Sequence, residues 1–365
     1  IKTIDKIYNA GINNIFLETY YHGQTIFPSQ TMTKYGFIRQ NENYIGFDPL
    51  KIWINEAHKR GIKVHIWFET FYVGNKPPET NAGYILAKKP EWANYQKKNA
   101  DSETIAYSVS EHNGYFIDPA NPEVQNFLYE LLCEIITRYK PDGINLDYIR
   151  YPQSLDTIYS NYDMSNWGYT KFAREEFAKM YGVDPIELKF TDPLWYQWRA
   201  YRCNKVTSFV RRVSVLCRFN KIAITTVIFP NRNLALNTKM QDWKTWSMNN
   251  FVDGFTPLFL TCNDMTAMNL MEEVLRNKSA STKLYAGLFV TFMNGSSADL
   301  MKQIHAARKY CLNGLIIFDY AHLSDYYVNT LTESVFKPNK KEVIITETAK
   351  PQQAQYRTGS KRGGN

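Results

Sequence analysis

The chain has 365 residues, is 15% aromatic and carries a formal net charge of +8, a length that supports a sizeable core without disulfide staples. The charge is not a nucleic-acid footprint: from Lys337 onward seven Lys/Arg stand against Glu342 and Glu347, leaving +3 of the +8 on the rest, where cations are interspersed with acids. No run of about 18 apolar residues exists, so no membrane span is predicted, and five cysteines without CxxC spacing (133, 203, 217, 262 and 311) read as buried thiols, not as a metal site or a disulfide framework.

The segment "IKTIDKIYNAG" places Ile1, Ile4, Ile7 and Tyr8 on one helical face and stops at Gly11. "INNIFLETYY" follows as a strand. "FDPLKIWINEAHKRG" is a helix with Asp48 as N-cap, Pro49 in its first turn and Gly61 as its stop. After the strand "IKVHIWFETF" and a long loop, Asn121 and Pro122 start a helix whose apolar face is Val124, Phe127, Leu128, Leu131, Leu132, Ile135 and Ile136. "GINLDYI" is the next strand. One long helical region, 166–219, precedes "IAITTVIFP". "QDWKTWSMNN" precedes "FVDGFTPLFLT", "DMTAMNLMEEVLRN" precedes "KLYAGLFVTF", and "ADLMKQIHAARKYCLNG" precedes "LIIFDYAHL". From about 336 the chain turns basic and polar and reads as a disordered tail, so the expected division is a domain over 1–335 and a tail over 336–365.

Continuous apolar strands alternating with helices predict a parallel sheet covered on both faces. Seven strands, near residues 12, 62, 143, 222, 252, 284 and 314, in a chain that opens on a helix predict an α/β fold of the (β/α)8 barrel type with its first strand ahead of Ile1. A doubly wound sheet is disfavoured because no Gly-rich phosphate turn follows any strand.

Barrel chemistry sits at the carboxyl ends of strands. Four strands end in an acid there: Glu18 after "IFL", Glu69 after "HIWF", Asp147 after "INL" and Asp319 after "LIIF". A carboxylate beside a dry core is desolvated and must be used or paired. In "DGINLDYIRYP", Asn145, Tyr148, Arg150 and Tyr151 surround Asp147; a purely structural Asp147–Arg150 ion pair is the alternative. Aromatics gather at the same places: Tyr20, Tyr21 and His22 after Glu18, Trp67, Phe71 and Tyr72 around Glu69, Trp243 and Trp246 beside Asp242, and Tyr320 and His322 after Asp319. Acids ringed by flat amphipathic side chains suit hydrolysis of glycosidic bonds, where two carboxyls act on the bond and rings stack on sugar faces. Asp118 and Asn121 in "YFIDPANP" read as turn and cap residues, and His65 as a packed residue behind the site. Six histidines without an HxH or HExxH spacing disfavour a catalytic zinc.

"DGINLDYIRYP", preceded by "DPANPEVQNFLYELLCEIITRYKP", resembles the family-ten-like glycosyl hydrolases, bacterial (β/α)8 proteins. "HIWFETF", "QDWKTW", "AGLF" and "GLIIFDY" extend the resemblance over roughly 1–330. It implies a strand ahead of the first helix, a secreted or envelope location and, for some members, cell-wall glycan as substrate; Asp147 matches its central motif. The expected function is therefore hydrolysis of a poly- or oligosaccharide with Asp147 as nucleophile or base. Its partner acid is Glu69 or Asp242, with Glu69 favoured as the neighbour in the sheet. Glu18, Tyr20, His22, Trp67, Asn145, Tyr148, Arg150, Tyr151, Trp243, Asp319 and Tyr320 are expected to touch the sugar. No metal or cofactor is expected, and the chain is expected to be a monomer with a carbohydrate as its ligand. The rival from another class is a barrel that binds glycan without cleaving it.

Overall fold

A computed structural model describes residues 1–80, 84–154 and 163–336. The strands are β1 (Asn14–Tyr21), β2 (Gln24–Thr25), β3 (Lys63–Glu69), β4 (Gly143–Asp147), β5 (Ala223–Thr226), β6 (Gly254–Phe255), β7 (Leu258–Phe259), β8 (Lys283–Phe289) and β9 (Gly314–Phe318). All seven expected strand positions are occupied, and they run parallel in the order β1-β3-β4-β5-β6-β8-β9. The expected strand near 252 is β6 and β7 together. They pair with successive parts of β8 and are parted at Thr256–Pro257, where proline has no N–H to give a ladder. β2 is a two-residue antiparallel arm folded back on β1. The molecule is thus an α/β protein of the (β/α)8 type, its sheet curled as a half-barrel. Its edges, β1 and β9, are not hydrogen-bonded to each other among the described residues.

Alternation along each strand decides what lies inside the curl. On β3, Val64, Ile66 and Phe68 are fully buried in the main hydrophobic core, packed with the helix Pro49–Lys59, which buries Leu50, Ile54 and Ala57, and with the helix Pro122–Tyr139. That second helix buries all seven apolar residues expected of it; each such side chain contributes about 1.5–3 kcal/mol. Both helices start as expected, Asp48 accepting from the Lys51 N–H at 3.1 Å and Asn121 from the Glu123 N–H at 2.9 Å. The opposite residues, His65, Trp67 and Glu69, face the interior of the curl. There His65 stacks on Phe16 (4.7 Å) and bonds Asn14 (2.9 Å), while Trp67 meets Phe318 edge-on at 5.1 Å. Asn145, completely buried, accepts from the Thr225 and Thr256 hydroxyls at 2.7 and 3.0 Å. This polar and aromatic layer is the floor of the site.

Two expectations are corrected. The helical region 166–219 is divided into Lys171–Tyr181 and Trp195–Phe219, because Gly182 adopts a left-handed φ of 75° and Pro185 and Pro193 interrupt the backbone ladder. Of the cysteines, Cys203 and Cys217 are buried and Cys133 half-buried, but Cys262 and Cys311 are exposed, the first in the loop after β7 and the second at a helix end. Among the described residues no helix is long and apolar enough to cross a membrane. The expected tail lies, from residue 337 on, outside the described residues.

Candidate active site

Glu69 and Asp147 are in-register neighbours on β3 and β4, so their side chains leave adjacent strands about 4.8 Å apart in the same direction. Each is held by a backbone N–H from a residue in the left-handed region: His22 (φ 50°) donates to Glu69 Oε2 at 2.6 Å, and Tyr148 (φ 45°) to Asp147 Oδ1 at 2.6 Å. Left-handed backbone at a bulky residue is strained and tends to collect at functional sites. The Trp67 indole N–H also donates to Asp147.

The electrostatics separate the two acids. Burial raises the Asp147 carboxyl to about 6, against the pull of the Arg150 cation and the N–H donors of Tyr148 and Trp67. Glu69, only 5% exposed, is pushed well above the usual carboxylate range by burial, with the negative charges of Asp147 and Glu18 adding to the shift. Glu18 is solvent-exposed at its outer end, yet surrounding protein mass and the charges of Asp319 and Asp147 raise it too. Asp319, also exposed, accepts from His322 Nδ1 at 2.8 Å and from the His322 N–H at 3.1 Å. Glu18 thus joins the strand-end acids at one end of the sheet: it lies within electrostatic reach of Asp319, Asp147 and Glu69.

An aromatic wall runs along this group: Tyr21 stacks on His22 (3.8 Å), His22 meets Tyr72 (5.4 Å), and Tyr72 stacks on Tyr148 (4.4 Å). Tyr21 is 40% exposed and its hydroxyl feels both Glu18 and Glu69. It occupies the position beside the acids that was expected of Tyr20. Counting by twos from Glu18 aims Tyr20 at the cleft, but the β1–β3 register shifts between Glu18 and Tyr20 and sends Tyr20 outward, where it stacks on Phe68 and meets Phe127 with no exposed surface.

A model of the glycosyl hydrolase-like 10 family matches residues 1–294. The chain belongs to that family. It is 30% identical over 161 residues to glycosyl hydrolase DigH of Escherichia coli strain K12 (42% of this chain, 34% of that protein) and 24% identical over 160 residues to glycosyl hydrolase YngK of Bacillus subtilis strain 168 (42% and 28%). It thus spans about a third of the length of the curated relatives it matches. In fold it is similar to the α-galactosidase of Lactobacillus brevis, with a TM-score of 0.55 over 91% of this chain and 36% of that one at 12% identity. The galactosidase domain of the α-galactosidase-sucrose kinase AgaSK gives 0.53 over 91% and 37% at 13% identity.

Of the residues expected at the site, the structure brings together Glu18, Glu69, Asp147, Asp319, His22, Trp67 and Tyr148, with Asn145 beneath them. Others it places elsewhere. Asp242 caps the helix Trp243–Met248, accepting from the Thr245 hydroxyl at 2.6 Å, and is not among the charges that shift Asp147 or Glu69. Trp243 is fully buried and donates to the Phe229 carbonyl at 3.0 Å. Tyr151 is buried with its hydroxyl 3.5 Å from Asp118, and Tyr320, though exposed, lies near Lys6 of the first helix. Asp118 makes the expected turn, accepting from the Ala120 N–H at 2.9 Å, and also receives the Thr170 hydroxyl at 2.6 Å. Arg150 does not face Asp147 as an ion-pair partner. It is bound by two hydrogen bonds to Glu111, a residue that no motif singled out.

Proposed function

We propose that this chain is a glycoside hydrolase acting on a poly- or oligosaccharide by a two-carboxylate mechanism, with Asp147 and Glu69 as its reacting pair. The observation that carries this is the in-register Glu69–Asp147 pair whose surroundings set the two carboxyls apart. Two carboxyls tuned differently are how one site supplies an acid and a base at the same pH. At neutral pH Asp147 is ionised, held by two N–H donors and the Arg150 charge, and attacks the anomeric carbon or takes a proton from water. Glu69, whose carboxyl burial favours in the protonated form, gives its proton to the leaving oxygen. Tyr21 and His22 offer a flat face for a sugar ring. Glu18 carries a raised carboxyl in a more open position, so comparing Glu18→Gln with Glu69→Gln separates the two as proton donors.

Bacterial cell-wall glycan and an extracytoplasmic location are the substrate class and place that the family resemblance implies. The test is product analysis by mass spectrometry after incubation with a panel of bacterial cell-wall and plant glycans. Shortened chains with new reducing ends are expected; binding of a glycan that stays intact would favour the non-catalytic barrel.

A further inference from the structure

Three charged side chains lie buried behind Asp147, and each comes from a different segment. Glu111 belongs to the excursion after β3, Arg150 to the loop after β4, and Lys239 is the last residue of the helix Arg232–Lys239 after β5. Their exposures are 4%, 5% and 2%. Arg150 Nη1 and Nη2 donate to Glu111 Oε1 and Oε2 at 2.8 and 2.9 Å, and Lys239 Nζ donates to Glu111 Oε1 at 2.7 Å and to Gln153 at 3.3 Å. The guanidinium carbon stands 4.7 Å over the Tyr148 ring and 5.0 Å over Phe229, and Lys239 Nζ stands 4.0 Å over the same Phe229 ring.

We propose that Glu111 is a positioning residue of this site: by clamping Arg150 and Lys239 it holds the guanidinium against Tyr148 and so sets the charge and orientation of Asp147. The catalytic consequence rests on the reading of Asp147 as a reacting carboxylate. Apolar contacts would tie three loops together without the desolvation cost of buried ions, so joining loops does not by itself account for the cluster. Its geometry does lead to Asp147: Arg150 packs on Tyr148, and the Tyr148 N–H grips the carboxylate. With all groups ionised, two cations face Glu111 and Asp147, and the set is neutral. The charged groups acting on Asp147 are Arg150, which favours ionisation, Glu111, which opposes it, and the neighbouring acids Glu69 and Glu18. Burial and the nearby Arg150 lower Lys239 to about 7, so Glu111 is its counter-ion as well.

The signs follow. Glu111→Gln keeps an amide oxygen to seat Arg150 but removes the charge that opposes ionisation of Asp147, and so moves the Asp147 titration to lower pH. Arg150→Gln removes the favourable charge and moves it to higher pH. Each shift is expected on the order of one pH unit. Lys239→Met leaves both Arg150–Glu111 bonds in place and should leave the midpoint where it is. The measurement is a pH titration of the aspartate carboxyl resonances of carboxyl-13C-labelled protein, with Asp147 identified by the signal lost in Asp147→Asn. Opposite shifts in Glu111→Gln and Arg150→Gln support the proposal; one unchanged midpoint in all folded variants overturns it. Should Glu111→Gln fail to fold, Glu111→Asp takes its place: it keeps the charge but shortens the clamp, so the Asp147 midpoint should move to higher pH as Arg150 loses its seat, and an unchanged midpoint overturns the proposal. The readout is independent of turnover. If the resonance moves as expected while the acid limb of kcat/KM does not, the positioning of Asp147 stands and its role as the reacting base falls.

Discussion

Asp147 holds its proton up to about pH 6, which makes predictions for both activity and stability. A base must be ionised to act, so kcat/KM should rise through a limb near pH 6 and fall again at the higher pH where Glu69 loses its proton. For stability, a carboxyl with a folded pKa raised from 3.8 to about 6 binds its proton more tightly in the folded chain. The resulting stability is fully present below about pH 4 and lost as pH rises through 6. Asp147→Asn should therefore stabilise the protein at pH 7, by about 3 kcal/mol at most, and the gain should shrink towards pH 4; chemical denaturation at the two pH values checks this. Glu69→Gln should lower turnover of an ordinary glycan by two to four orders of magnitude, in the range typical of general acid catalysis, and lose less on an aryl glycoside whose leaving group needs no proton.

Gly114, on the excursion after β3, shows how an element brings these residues together. A Cβ there would lie 1.9 Å from Tyr72 and 2.8 Å from the Glu111 carbonyl, so only glycine lets this segment close over the Tyr72–Tyr148 stack while delivering Glu111 to Arg150. Gly114→Ala should cost about 1–3 kcal/mol by overpacking, and the same denaturation experiment would show it; an unchanged midpoint would mean that the excursion does not need this close approach. The strands that carry the acids were legible because each is a continuous apolar run ending in a carboxylate, a pattern set by burial on both faces. Tyr20 was expected at the cleft because a bulge leaves no mark in a two-residue period. Asp242 and Trp243 were misassigned because an acid that starts a helix reads the same whether it caps or catalyses. Glu111 and Lys239 were invisible because they meet Arg150 from positions 39 and 89 residues away in the chain, and nothing local to either marks the encounter.

At the scale of the whole molecule, the likeness to two α-galactosidase structures at 12–13% identity reflects one architecture: a curled sheet of parallel strands covered by helices. Deleting the basic residues 337–365 should shift Tm by less than about 1 °C, an effect under about 1 kcal/mol. The measurement that bears most directly on the function is release of new reducing ends from a bound glycan by the wild-type chain and by Asp147→Asn, with affinity for the same glycan measured in parallel. A glycoside hydrolase built on Asp147 should lose several orders of magnitude in turnover in the variant while still binding the glycan. Equal turnover by the two proteins would contradict it.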